Sequence, residues 1–216
     1  MTTTTRTPTT RPAGTVGLAF WRQSWAGLRV LLVLTVLLGV VYPLAVTGVS
    51  QVIMRWQANG SLLTADGGRT TDRSQAVGSA LIGQTFDGPS WFQPRPSAAG
   101  DGYDTLASAG SNLGPLNRDL VATVDQRRAD VAAADGIAPG AVPPDALTAS
   151  GSGLDPDISP AYARLQVDRV ARERGLSTDE VSALVGRQVV GRDLGFLGEP
   201  RVNVLRLNLA LQTMGS

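Results

Sequence analysis

The residues with the spacing to do chemistry are few. Ser150-Gly151-Ser152-Gly153, followed by Leu-Asp-Pro and a helix, has the composition of a loop whose backbone amides cradle an anion. It lacks the Walker spacing and the lysine, so the same run also reads as a tight connection in which Asp155 turns the chain. Gln166, on the helix that follows, reads either as a ligand contact or as an amide in a hydrogen-bond network. Asp87, Asp101 and Asp104 have the charge to attract a cation, but no calcium-loop spacing, and equally suit a solvated loop.

Composition excludes more than it offers. The 216 residues contain no His, no Cys and no Lys, so all 19 basic residues are Arg. Ser/His/Asp and Cys/His nucleophiles, His and thiolate metal sites, Schiff bases and a P-loop lysine are all ruled out. The 18 acidic residues show no metal spacing, so no metal site is expected. A net charge of +1 gives no basic footprint for nucleic acid.

The elements that must position these residues begin at a bilayer. Val30 to Met54 is uncharged between Arg29 and Arg55, long enough for one tilted transmembrane helix. Trp21, Trp25 and Trp56 are placed as interfacial aromatics. Pro43 should kink or loosen the span, and Gly39 and Gly48 offer close approach to a neighbouring helix. The chain divides into a disordered tail and interfacial segment at 1–24, the span at 25–56 and one soluble domain at 57–216. Arg11, Arg22 and Arg29 before the span balance Arg55, Arg69 and Arg73 after it. Arg6 and the closeness of Arg22 and Arg29 tip the N-terminus toward the cytoplasm and the domain outside. The competing reading is a signal peptide cleaved among the small residues from Ala45 to Ser50, although the apolar run exceeds the roughly 7 to 15 residues of a signal core.

Within the domain, Gly78 to Phe86 reads as a strand, and Pro94 and Pro96 hold Arg95 extended. Tyr103 to Gly114 should be a long ordered loop. A helix is expected from Asn117, its N-cap, to Asp130, and a mobile loop over Ala133 to Ala141. Ser159-Pro160 starts a helix that Gly175 stops, and Ser177 to Glu180 is a capping box for the next. Val202 and Val204 alternate as a strand does, whereas Leu205 and Leu209 fit a helical turn. The fold class is α+β, with one N-terminal transmembrane helix and a single mixed soluble domain.

Taken in order, Tyr42-Pro43, Trp56-Gln-Ala-Asn-Gly-Ser61, Gly78-Ser-Ala-Leu-Ile-Gly-Gln84, Arg95-Pro-Ser-Ala98, Gly110-Ser-Asn-Leu-Gly114, Thr148 to Pro156, Arg201-Val-Asn-Val204 and Leu207-Asn-Leu-Ala-Leu211 resemble the C-subunit (KdpC) family of the Kdp potassium-transporting ATPase. The resemblance runs from about Gly27 to Leu211. It implies a non-catalytic accessory subunit, partnered by the potassium-channel-like KdpA subunit and the ATP-hydrolysing KdpB subunit in the cell membrane. It implies a catalytic chaperone that raises the ATP affinity of the ATPase subunit. No tightly bound cofactor is expected: ATP acts through the complex, and if this chain touches it directly the contacts implied are Ser150, Gly151, Ser152, Gly153 and Gln166. The chain departs from the family pattern at Gln93-Pro94, Leu116 and Asp157. Asp157 adds a carboxylate beside the Ser/Gly loop, which repels a triphosphate. An outside domain cannot meet cytoplasmic ATP, so the two implications conflict unless the chaperone effect is indirect. A rival from another class is a free-standing single-pass envelope binding protein with no pump.

Overall fold

The computed structural model describes residues 13–214; the tail expected over residues 1–12 lies outside them. The chain divides into two compact units, ending and beginning at Ala58 and Asn59.

The first unit is helical. Helix α1 (Ala13–Val36) passes through a π-helical turn at Leu37–Val41 into α2 (Tyr42–Ile53), and a short α3 (Arg55–Ala58) follows a break at Met54. Pro43 explains the π turn: it has no N–H and its ring crowds the carbonyl of Gly39, four residues back. Widening the preceding turn makes room, and the Tyr42 N–H reaches back five residues to the Leu37 carbonyl. The expected kink therefore takes the form of one wide turn. Gly17–Ile53 is the one helical stretch among the described residues long and apolar enough to cross a membrane, and its side chains from Leu18 onward are almost all exposed. The helix starts at Ala13, well before the first Trp of the expected interfacial belt.

The second unit is an α+β domain with two small antiparallel sheets. Strand β1 (Leu62–Leu63) lies between β2 (Arg69–Thr70) and β3 (Gly78–Ser79). In the other sheet β6 (Arg201–Asn203) lies between β4 (Asp157–Ile158) and β5 (Val189–Val190). Helices α4 (Arg118–Asp135), α5 (Pro160–Leu165), α6 (Val167–Arg174), α7 (Thr178–Gln188) and α8 (Val204–Met214) supply most of the core. Phe92, Val170, Val181, Val185, Val202, Leu207 and Leu211 are fully buried together.

Local signals set most of these boundaries. Asn117 caps α4 by accepting from the N–H groups of Asp119 and Leu120, and the Ser177–Glu180 capping box closes on α7 as the sequence requires. The change of period after Asn203 marks the junction of β6 and α8.

Three expectations are corrected. The strand expected over Gly78 to Phe86 ends at Ser79. Gly83 instead packs so closely that a Cβ there would lie 2.4 Å from the Tyr103 ring and 2.5 Å from the Asp155 carbonyl. The loop expected from Ala133 begins only at Gly136: α4 continues to Asp135, with Ala132 and Asp135 buried, and Gly136 then caps it with a left-handed backbone. A 3₁₀ turn at Pro139–Ala141 completes that connection. Finally, the helix expected from Pro160 to Gly175 is two helices broken at Gln166, the last residue before α6.

Candidate functional site

The Ser/Gly loop is built into its surroundings. Its Ser152 Oγ accepts from the Leu154 N–H at 3.1 Å, while the carbonyls of Ser152 and Gly153 accept from Ser108 Oγ at 2.9 Å and Ser97 Oγ at 2.6 Å. Gly153 has a left-handed backbone, and a Cβ there would meet the Ala109 carbonyl at 2.6 Å and the Ala99 nitrogen at 2.7 Å. Only glycine satisfies both demands. No helix opens on this loop: strand β4 comes first, and the N-terminus of α5 already faces the Asp145 carboxylate. That carboxylate accepts from the Ser159 N–H at 2.7 Å and from its Oγ at 3.0 Å.

Gln166 lies elsewhere, fully buried. Its Oε1 accepts from the Gln93 N–H at 2.6 Å and from Arg169 at 2.7 Å, and its Nε2 donates to the Gln93 carbonyl at 3.1 Å. The break between α5 and α6 aims this amide at the Gly88–Ser97 segment. Arg169 extends the network, pairing with the buried Asp135 at 2.8 Å and donating to the carbonyls of Pro89 and Trp91. Asn208 clamps Phe92 on both sides, accepting from its N–H at 2.9 Å and donating to its carbonyl at 3.0 Å.

The two parts of the expected ATP site thus meet different stretches of one irregular segment, with Gln93 on Gln166 and Ser97 on the Ser/Gly loop. Arg95, between them, pairs with Asp155 at 2.9 Å and receives the Tyr103 hydroxyl on its carbonyl at 2.7 Å. The extended Arg95 expected between two prolines is here a strut across the domain. Asp157, whose extra carboxylate stood out in the sequence, accepts from Asn203 Nδ2 at 3.1 Å and lies 3.4 Å from Arg201 Nε. Burial pushes its carboxyl above the ordinary range, against the pull of the Asn203 hydrogen bond.

Between α4 and the Gly88–Ser97 segment lies a cleft of about 580 Å³, reached by Gln93, Arg95, Tyr103, Arg127, Tyr162 and Arg169. Burial pushes the Tyr103 hydroxyl up to about 12 and raises that of Tyr162 too. The carboxylates of Asp130 and Asp135 line the cleft as well, the latter already paired with Arg169. No group of three or more His, Cys, Asp or Glu able to hold a metal occurs among the described residues. The Asp135–Arg169 pair and the Asn208 clamp escaped the sequence reading. Their faint signals were an amide and a guanidinium at Gln166 and Arg169, three apart on a buried face, and one Asn among Leu207, Leu209 and Leu211.

Comparison with known proteins places this architecture. The family model for KdpC, the K⁺-transporting ATPase c chain, matches residues 24–213. A protein of Kineococcus radiotolerans named potassium-transporting ATPase KdpC subunit is 60% identical over 192 residues, covering 89% of this chain and 94% of its own. Proteins with the same name from Caulobacter vibrioides and Koribacter versatilis are 58% and 53% identical, over 82% and 83% of this chain and 86% and 88% of theirs. The match spans both the apolar helix and the α+β domain, and the chain belongs to the KdpC family.

Proposed function

We propose that this chain is a non-hydrolytic accessory subunit of an ATP-driven potassium uptake complex, held in the cell membrane by its single span beside the KdpA and KdpB subunits. In this reading it raises the ATP affinity of the ATPase subunit by biasing the conformation of the complex, without touching the nucleotide. The observation that carries the indirect reading is Gln166, fully buried with its oxygen and nitrogen engaged by Gln93 and Arg169. A ligand could reach that amide only by dismantling the network. Coupling of about 1 to 3 kcal/mol between subunit contact and the nucleotide-binding conformation changes apparent ATP affinity roughly 5- to 150-fold.

Orientation follows the same reading. Arg22 and Arg29 stay on the cytoplasmic side and the α+β domain lies outside, where ATP is absent. The chain has no Cys, so Ala138→Cys, in an exposed ordinary backbone, should label from outside intact cells with an impermeant thiol reagent. The deciding experiment is calorimetry of the full-length chain in detergent with millimolar Mg-ATP, beside ATPase assays of the complex purified with and without it. No saturable binding to the chain alone, together with a weaker apparent ATP affinity in its absence, is the expected outcome. Saturable binding to the chain by itself would overturn the indirect mechanism.

A further inference from the structure

The cleft of about 580 Å³ between α4 and the Gly88–Ser97 segment has the size of a small-molecule site. Its walls are largely apolar and stiff: Pro89, Pro94 and Pro96 from the irregular segment, Val131 and Ala134 from α4, and Tyr103. Most of the charge around it is already paired, Arg95 with Asp155 and Arg169 with Asp135. Two lining charges are left, Arg127 and Asp130, one turn apart on α4. They do not pair with each other. Arg127 Nη1 donates to the Leu147 carbonyl at 3.0 Å, and Asp130 Oδ1 accepts from Gln126 Nε2 at 2.8 Å; among the described residues neither side chain has another polar partner.

A third group belongs to the same cleft. Tyr162, which lines it, is only 4% exposed, and its hydroxyl has no hydrogen-bond partner among the described residues. Tyr103, by contrast, gives its hydroxyl to the Arg95 carbonyl. A nearly buried hydroxyl without a partner is costly unless a bound molecule supplies one.

We propose that this cleft binds a zwitterionic aromatic amino acid, with its carboxylate on Arg127, its ammonium on Asp130 and the polar edge of its ring on the Tyr162 hydroxyl. An anion alone would face Asp130, and a cation alone would face Arg127. A molecule carrying both charges meets each with its opposite. Residues three apart on a helix hold their Cβ atoms roughly 5 to 6 Å apart, close enough for the two charged groups of one α-amino acid, which a single carbon separates. The prolines offer an apolar wall to a ring, and a hydroxyl that both donates and accepts suits an indole N–H or a phenol. A nucleoside triphosphate carries several negative charges and no positive one near them, so it does not fit beside Asp130. The site is therefore separate from any nucleotide contact, and it does not depend on the accessory-subunit reading.

The test is calorimetry of the full-length chain in detergent, with L-tryptophan, L-tyrosine, L-phenylalanine, tryptamine and indole-3-propionate as probes. L-tryptophan or L-tyrosine should saturate a single site with a dissociation constant below about 1 mM. Tryptamine lacks the carboxylate and indole-3-propionate the ammonium, and each should bind at least about tenfold more weakly. Arg127→Gln and Asp130→Asn should each weaken L-tryptophan by a similar factor, with circular dichroism unchanged. Asp130 is exposed and bonded only within its own helix, so Asp130→Asn reads binding even where Arg127→Gln disturbs the Leu147 carbonyl. Tyr162→Phe should weaken L-tryptophan and leave L-phenylalanine unchanged. No saturable binding of L-tryptophan or L-tyrosine, equal binding of zwitterionic and singly charged probes, as partition into detergent would give, or undiminished binding by Asp130→Asn overturns the site. Each of these outcomes leaves the accessory-subunit reading standing.

Discussion

Two irregular segments of similar flavour, Gly88–Ser97 and Asp104–Leu116, end in opposite places. Both are rich in Gly, Pro and Ser, and neither contains a helix or strand. The first lies against the core, half-buried from Ser90 to Ser97 with Phe92 fully buried; the second leaves Leu106 almost bare. What separates them is the fate of the backbone. Pro89, Pro94 and Pro96 remove three donors from the first segment, and the N–H groups of Phe92 and Gln93 go to Asn208 and Gln166. Its carbonyls go to Arg169, Arg174, Asn208, Gln166 and the Tyr103 hydroxyl. Arg174 also stacks 4.1 Å from the Trp91 ring. Irregular backbone is buried only when each polar group finds a partner. The second segment has no such side chains above it and stays at the surface.

The comparison breaks most sharply at Arg169. Arg169→Met removes one donor each from Asp135, Gln166 Oε1 and the carbonyls of Pro89 and Trp91 at once. Leaving a buried carboxylate unpaired should cost about 3 to 5 kcal/mol, measured by urea unfolding of the full-length chain in detergent. A loss under about 1 kcal/mol would mean that the polar layer does not hold the first segment in the core.

A smaller effect is expected at Asp157, on β4 just beyond the Ser/Gly loop. Burial raises the carboxyl pKa of Asp157, so the folded chain binds that proton more readily than the unfolded one. The ionised group therefore costs stability above its folded pKa, and the cost is relieved as pH falls through it. Asp157→Asn should raise stability at pH 7, with the two proteins converging as the pH falls through the raised pKa of Asp157. Parallel stability curves across that range would show that the Asn203 and Arg201 contacts outweigh burial.

The smallest expected change is at Leu106, in the second segment. Leu106→Ser removes a side chain that touches water almost everywhere, so the stability of the chain should move by no more than about 0.5 kcal/mol. A loss above about 1.5 kcal/mol would show that the leucine packs within the domain, and the contrast between the two segments would collapse.

Several features were legible from the residues alone because their signals are local. The apolar span, the effect of Pro43, the Asn117 and Ser159 caps, the Ser177–Glu180 box and the strand-to-helix change after Asn203 all depend on neighbours within a few residues. The family was legible as well, since its motifs persist in order along the chain. Tertiary structure alone decided what the polar residues do. Gln166 could read as a ligand contact or a network amide until it was found fully buried on Gln93, 73 residues away, and Asn208 gave no hint of gripping Phe92 across 116 residues. Ser150–Gly153 has the composition of an anion cradle, yet whether its glycines face a ligand or a neighbouring backbone depends on Ala99, Ala109 and Gly110 arriving against it. Propensities and caps are written in adjacent residues; the partner of a buried hydrogen bond is set by which distant segments the core brings together.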